Sequence, residues 1–285
     1  MNPVILNFAD GTTFFLGLVL VLMAEGMLFC IRNRIARPIL TILAIVGIML
    51  VISSATPLPI WLYAIWTVPA IAGLVLSSFA ALPRRHCVLY GSVLLLATLA
   101  LGLAEVPHRR RPCLAIHEGT TIYVLGDSIS AGIGTNHRSW PAVLDELTPL
   151  RVVNLAQPGA TVESAITQAK GIAEQHSIVI VEIGGNDLLG GTDVSVFRTK
   201  LDTLVSSLRA DQHEVLLFEL PLFPFQNAYG KAQREIVGEH GISMLPKRFF
   251  VKVLGTEDGT LDGLHLSQAG HDAMARIVAG VISQE

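Results

Sequence analysis

The chain has 285 residues, room for one or two domains, but a hydrophobic share of 51% and a mean hydropathy of +0.56 exclude an ordinary soluble enzyme along its whole length. A net charge of −3 supplies no basic stripe for nucleic acid, and the short basic clusters sit at the ends of apolar runs. Three cysteines, of which only Cys113 lies clearly beyond the apolar region, exclude a disulfide framework, and no Cys or His pair has a zinc-ligand spacing.

The apolar excess is concentrated in four runs, residues 13–31, 39–55, 60–82 and 88–106. Each approaches the roughly 20 residues that cross a bilayer as a helix. None shows the polar face that a helix of a soluble domain requires. Residues 1–10 carry no Lys or Arg of the kind that opens a cleaved secretory leader. The runs are therefore expected to be membrane spans. Glu25 stands inside the first, where an ionisable group costs roughly 3 kcal/mol or more at the bilayer centre. It is expected to bond another helix as a protonated carboxyl, or to lie near a wet interface.

Arg32, Arg34 and Arg37 follow the first run and Arg84 and Arg85 the third, whereas the connection Thr56-Pro57-Leu58-Pro59 is uncharged. Cytoplasmic loops are enriched in Lys and Arg, which puts the first and third connections inside and everything after the fourth run outside. Arg109, Arg110 and Arg111 oppose this locally.

Hydropathy collapses at Pro107-His108-Arg109-Arg110-Arg111-Pro112, so the expected organisation is a transmembrane region over 1–106, a linker over 107–119 and a second domain over 120–285. In that domain apolar runs alternate with helix-like segments. Strands are expected near Thr121, near Arg151, at Ile178, at Glu214 to Leu220 and at Ile242; helices are expected from Trp140, Val162, Val194, Ala228 and Ser267. Such alternation predicts a parallel sheet flanked by helices. Phe197, Leu201, Leu204, Val205 and Leu208 form one helical stripe, and Ala273, Ile277 and Val281 are expected to do the same in the last helix, with Ser267 as its N-cap.

Polar, glycine-containing corners end three of the strands. Gly126-Asp127-Ser128 follows Thr121 to Leu125, Asn154 to Gly159 follows Arg151 to Val153, and Gly184-Gly185-Asn186-Asp187 follows Ile178 to Ile183. Ligands of open α/β sheets collect outside the carboxyl ends of strands, so these corners are expected to converge. Far downstream, Asp262-Gly263-Leu264-His265 places a carboxylate and an imidazole three residues apart. A serine becomes a nucleophile when an imidazole takes its proton, and a carboxylate on the other ring nitrogen holds that imidazole in one tautomer. Ser128, His265 and Asp262 are thus the candidate nucleophile, base and orienting acid. Asp127 and Asp187 are expected to brace loops, and His137, His176, His213, His240 and His271 to be surface or helix residues. Phe223, Phe225 and Tyr229 follow the strand ending at Leu220 and either line an acyl-binding groove or form a packed loop.

From about Thr120 to the C-terminus the order GDSISAG, Trp140-Pro141, GGNDLLGG and DGLHLS resembles the SGNH (GDSL) hydrolase family, in wording most similar to its bacterial thioesterase, lysophospholipase and arylesterase branch. The four residues that name the family match Ser128, Gly159, Asn186 and His265. The resemblance implies a flavodoxin-like three-layer α/β/α domain and an oxyanion hole made of the Ser128 N–H, the Gly159 N–H and the Asn186 side-chain amide. It also implies acyl-ester hydrolysis through an acyl-Ser128 intermediate, with no metal or organic cofactor. Tethering to a bilayer, expected to be a bacterial inner membrane with the domain on the extracytoplasmic side, favours a membrane lipid, a lysophospholipid or a lipid-linked or acylated glycan as substrate. The rival readings are a carbohydrate O-deacetylase, an O-acyltransferase, or a non-catalytic membrane scaffold that binds acylated ligands.

Overall fold

A computed structural model describes residues 3–31, 33–78, 83–116, 119–133 and 137–284. Arg32, residues 79–82 of the third apolar run, residues 117–118 of the expected linker and Glu285 lie outside the described residues. The chain divides into two compact units. One comprises Asn7–Arg109 and Leu222–Asn227; the other comprises Met1–Leu6, Arg110–Pro221 and Ala228–Glu285.

The first unit is helical. Beyond the short α1 (Pro3–Ala9), whose residues are divided between the two units, come α2 (Thr12–Cys30), α3 (Ala36–Ser53), α4 (Ile60–Ser78) and α5 (Arg84–Glu105), and these four are long and apolar enough to cross a membrane. Phe14, Leu18 and Val21 of α2 pack with Val51, Trp66 and Leu101 from the other three, while outward residues such as Met49, Val68 and Leu96 stay exposed. Glu25 is fully buried and accepts a hydrogen bond from the Tyr90 hydroxyl of α5. At one end of this unit the Arg109 guanidinium donates to the Asp10 carbonyl at 2.8 Å and the Ala55 N–H to the Phe8 carbonyl at 3.3 Å. At the other end Arg37 donates to the carbonyls of Leu28 and Ser77. Successive long helices therefore run in alternate directions.

The second unit is a three-layer α/β/α domain. Its elements are β1 (Leu114–Ile116), β2 (Ile122–Gly126), α6 (Ser128–Ala131), α7 (Trp140–Leu147), β3 (Val152–Asn154), α8 (Val162–Ala169), β4 (Ile178–Glu182), α9 (Gly185–Leu189) and α10 (Val194–Ala210). They continue with β5 (Glu214–Phe218), α11 (Asn227–His240), β6 (Ser243–Leu245), α12 (Lys247–Leu254), α13 (Gln268–Ala279) and β7 (Ile282–Gln284). Five strands form a parallel sheet in the order β3-β2-β4-β5-β6, the flavodoxin-like order with its switch between β2 and β4. β2 and β4 are buried at every position, as continuous apolar runs covered on both faces should be. On one face Ile122, Val124 and Ile180 pack against Trp140, Leu144, Phe250, Met274 and Val278 from α7, α12 and α13.

Helix caps follow the local sequence. Pro141 occupies the first turn of α7, Thr161 and Ser164 form a capping box at α8, and the Ser267 hydroxyl accepts from the Gly270 N–H at 3.2 Å. The stripe of α10 is buried as its spacing predicts. The last helix differs: its buried face is His271, Met274, Ala275 and Val278, with Ala273 and Ile277 at the edge. Counting His271 as polar shifts the expected stripe by one position. α12 and the parallel pair β1–β7 are additional; β1 lies within the stretch that reads as linker.

Glu219, just past β5, is buried, and its carboxylate receives Arg234 at 2.7 and 2.9 Å and the Lys247 N–H at 3.0 Å. Burial alone would raise its pKa, but the charges of Arg234 and Lys247 outweigh burial and hold it below the ordinary carboxylate range. Arg234→Met strips the main partner from a buried charge and is expected to destabilise the domain by about 3–5 kcal/mol. Thermal or urea unfolding of the full chain in detergent measures this, and a loss under about 1 kcal/mol would show that the pair is dispensable.

Candidate active site

Three corners at the carboxyl edge of the sheet are tied together by hydrogen bonds. After β2, the Asp127 carboxylate caps α6, its Oδ1 accepting from the Ile129 N–H at 2.9 Å. This turns the chain at the strand end and leaves Ser128 half-buried at the start of the helix. After β3, the Gln157 N–H donates to the Gly126 carbonyl at 3.1 Å and the Ala160 N–H to the Gln157 carbonyl at 3.2 Å, folding a turn beside the first corner. Gly159 sits in that turn at φ 75°, and nothing lies within 4 Å of where its Cβ would be. The left-handed backbone favours glycine, and the space beside it stays open for a ligand.

After β4, Asn186 joins these two corners. Its Nδ2 donates to Asp127 Oδ2 at 3.1 Å and to the Ala160 carbonyl at 3.0 Å. Asp187 beside it accepts from the Val162 N–H at 2.9 Å. Both aspartates therefore brace loops. Burial raises the Asp187 pKa, opposed by the Val162 N–H and the Lys200 charge.

Asp262 and His265 lie between α12 and α13, in a turn closed by the Leu261 N–H to His265 carbonyl bond at 2.8 Å. Asp262 Oδ1 accepts from the N–H groups of Leu264 and His265 at 2.9 and 2.8 Å, and Oδ2 meets His265 Nδ1 at 2.6 Å. The ring contact and these two N–H groups hold the Asp262 carboxyl well below the usual carboxylate range. With Nδ1 donating to that carboxylate, Nε2 is left as the proton acceptor. The His265 charge also acts on Asp127, which places the imidazole near the residue before Ser128.

The three aromatic candidates separate. Tyr229 is buried, its ring 5.0 Å from that of Phe197 and its hydroxyl donating to the Thr192 carbonyl, so it takes the packed alternative. Phe223 and Phe225 are exposed and belong to the segment Leu222–Asn227 that groups with the helices. There Asn227 Nδ2 donates to the Ser54 carbonyl at 3.2 Å, and Phe225 lines an apolar cavity of about 300 Å³ with Ile45, Ile48, Met49, Ile71 and Leu74.

Behind Ser128 lies a polar cluster that sequence reading did not single out. Trp140 Nε1 donates to Ser130 Oγ at 3.1 Å, and Ser130 Oγ donates to Glu182 Oε2 at 2.8 Å. Its signal in the sequence is an acidic residue closing an otherwise wholly apolar strand. His271 is a helix residue, buried on α13, whereas His213, between α10 and β5, is buried rather than on the surface. Among the described residues one group has metal-ligand proximity, Asp202, Glu239 and His240; these lie on α10 and the end of α11, and His240 Nε2 pairs with Asp202 Oδ1 at 2.7 Å.

The sequence pattern of the GDSL-like Lipase/Acylhydrolase family matches residues 124–273. Esterase TesA of Pseudomonas aeruginosa is 29% identical over 160 residues, covering 51% of this chain and 79% of that protein. Thioesterase 1/protease 1/lysophospholipase L1 of Escherichia coli K12 is 27% identical over 158 residues, covering 51% of this chain and 74% of that protein. A crystal structure of TesA superposes with a TM-score of 0.50 at 27% identity, covering 57% of this chain and 97% of that one.

His271 makes the stability of this region depend on pH. Its ring is 1% exposed, Nδ1 accepts from the Trp140 N–H at 3.2 Å, and Nε2 is buried without a hydrogen-bond partner among the described residues. Burial, helped by His137, pushes its pKa down to about 4 against the pull of Asp272. The unfolded chain binds this proton near the ordinary value of 6.5, so the native state holds fewer protons between the two values. Stability is full above about pH 6.5 and falls as the pH drops toward 4. Urea midpoints measured across that window are expected to decline in the natural protein and to flatten in His271→Asn; equal slopes would assign the loss elsewhere.

Proposed function

The chain belongs to the GDSL-like lipase/acylhydrolase family and its C-terminal domain is an SGNH-type serine hydrolase; from this premise we propose that Ser128, His265 and Asp262 are its catalytic triad. Ser128 Oγ attacks the acyl carbonyl carbon while His265 Nε2 takes the hydroxyl proton. The bond to the leaving group breaks as the imidazolium returns that proton to it, and water repeats the sequence to release the acid from Ser128. The oxyanion formed in each half is received by the N–H groups of Ser128 and Gly159 and by Asn186 Nδ2. Both amide hydrogens of Asn186 are engaged in the resting site, so the oxyanion replaces the Ala160 carbonyl and the bond to Asp127 remains.

The observation that carries this reading is the grip of Asp262 on His265, two bonds to His265 itself and a third to the Leu264 N–H of the same turn. It fixes both the turn and the tautomer, which a general base requires and a scaffold does not. The related proteins are named as an esterase and a thioesterase/lysophospholipase. We extend their acyl substrates to this chain as a membrane lipid, lysophospholipid or acylated glycan, with an O-deacetylase or O-acyltransferase as the alternative. The exposed Phe223 and Phe225, carried on a segment that groups with apolar helices, favour the lipid.

We also read α2 to α5 as membrane spans that anchor the domain, since their outward faces expose apolar side chains that a bilayer would cover. The end of the helical unit holding Arg34, Arg37, Arg84 and Arg85 is then cytoplasmic, and the hydrolase domain extracytoplasmic. Two of the three opposing arginines are engaged locally: Arg109 with Asp10, and Arg111 with the Ile277 carbonyl at 2.7 Å and the Phe249 ring.

Purified full-length protein is expected to hydrolyse p-nitrophenyl esters, with Ser128→Ala at background, Asp262→Asn reduced on the order of 10⁴-fold in kcat and Asn186→Ala about 10²–10³-fold. The chain-length profile separates deacetylase from lipase-like use, and a folded protein inert toward every chain length would replace hydrolysis with transfer or binding. A topology reporter fused after Glu285 is expected to report an extracytoplasmic location; a cytoplasmic signal would reverse the orientation.

A further inference from the structure

We propose that Glu182 is a positioning residue of the active site: held as a neutral carboxylic acid between Ser130 and Asp127, it donates its proton to the Asp127 carboxylate and keeps that carboxylate aimed at the Asn186 amide. The proposal rests on the reading of Asn186 as an oxyanion donor.

The arrangement begins with strand register. Glu182 is the last residue of β4 and pairs with Gly126, the last of β2. Gly126 has no side chain because none fits: a Cβ there would lie 2.8 Å from Ser130 Cβ and Oγ. α6 therefore folds back close to the strand ends, and Ser130 reaches Glu182. The chain of donors has one direction, from the Trp140 Nε1–H to Ser130 Oγ and from Ser130 O–H to Glu182 Oε2. Glu182 also receives the main-chain N–H of Asp127 and is hydrogen-bonded to the Asp127 carboxyl.

Two carboxyl groups in direct contact share a proton, since adjacent buried carboxylates cannot both stay ionised. Glu182 is 2% exposed and Asp127 4%, and neither is bonded to Lys or Arg among the described residues. The groups that face the pair are Ser130 on Glu182, and His265 and Asp187 acting on Asp127. Each carboxyl accepts two donors from outside the carboxyl contact, Ile129 N–H and Asn186 Nδ2 on Asp127 and Ser130 O–H and the Asp127 N–H on Glu182, but Asp127 also faces the charge of His265, so it is the better-stabilised anion and the proton resides on Glu182. Burial, reinforced by the Asp127 charge, pushes the Glu182 carboxyl well above the ordinary range. The single negative charge of the pair then has two uses. It orients the Asn186 amide, and it faces His265, where it favours the imidazolium that forms during attack. Ionising Glu182 would drive the two carboxylates apart and release Asn186.

Infrared spectroscopy of the full-length protein at neutral pH is expected to show the C=O stretch of a buried protonated carboxyl that is missing from Glu182→Gln. Gln keeps an N–H for Asp127 and a carbonyl for Ser130, so its kcat on a p-nitrophenyl ester is expected within about threefold of the natural protein. Glu182→Ala is expected to lose about 10- to 100-fold in kcat at unchanged KM, part of the 10²–10³-fold that an oxyanion donor is worth. The fall of kcat at alkaline pH caused by Glu182 ionisation should also be missing from the Gln variant. A Gln variant as impaired as Ala, or a protonated carboxyl band that is the same in the natural protein and in the Gln variant, would assign Glu182 an anionic role and overturn the proposal. So would a Glu182→Ala variant with full kcat. Should the Ala variant not fold, the infrared band and the Gln variant decide alone. Persistence of activity in Ser128→Ala would instead refute the triad reading itself, which separates the two failures.

Discussion

The parallel pairing of β2 with β4, in the register that sets Gly126 beside Glu182, is the constraint from which the rest of the site follows. Both strands are buried on both faces, so a slip of one residue would turn every side chain to the opposite layer. That burial locks the register. Once it is locked, the strands end side by side, and the corners that follow must meet at the point where the strand order reverses. Ser128 and Asn186 stand at that point because their strands are neighbours.

The meeting is polar, and its polar groups are few and closely matched. Asp127 is the hub: it caps α6, receives the Asn186 amide, contacts Glu182 and feels the charge of His265. Asn186 in turn spans to Ala160 beside Gly159. Buried polar groups are stable only when satisfied, and a fully connected set is rigid. A preorganised site needs that rigidity, because donors that must reorient during attack lose their advantage over water. The Asp262–His265 pair is built differently. It lies in an exposed turn and holds its geometry through short local bonds within four residues, so the proposed base is aimed by a turn while the proposed oxyanion donors are aimed by the sheet.

The helical unit obeys a different balance. Its interior is apolar with a few paired groups, Glu25 with Tyr90 and Trp66 Nε1 with Thr98 Oγ1 at 3.0 Å, and its exterior is apolar as well. The segment Leu222–Asn227 interrupts the hydrolase unit in sequence and groups with these helices. Phe225 holds a positive φ of 69° there with its ring exposed, a conformation that costs a bulky residue.

The sequence by itself determined the alternation of strands and helices, the four apolar helices, the stripe of α10 and the identity of the corner residues, because each of these is written in local composition or short-period spacing. Glycine, aspartate and asparagine at strand ends mark turns wherever they fall. Only the tertiary structure decided which groups share a bond. It joined Asn186 to Asp127 and Ala160, placed Glu182 against Asp127, buried His271 under Trp140 and packed Tyr229 on Phe197. The physical reason is that periodicity reports which face of an element is buried, whereas the partner of a buried polar group is set by strand register and helix docking between distant segments. A histidine or glutamate in an apolar stretch looks like an interruption of the pattern until the residue across the sheet is known.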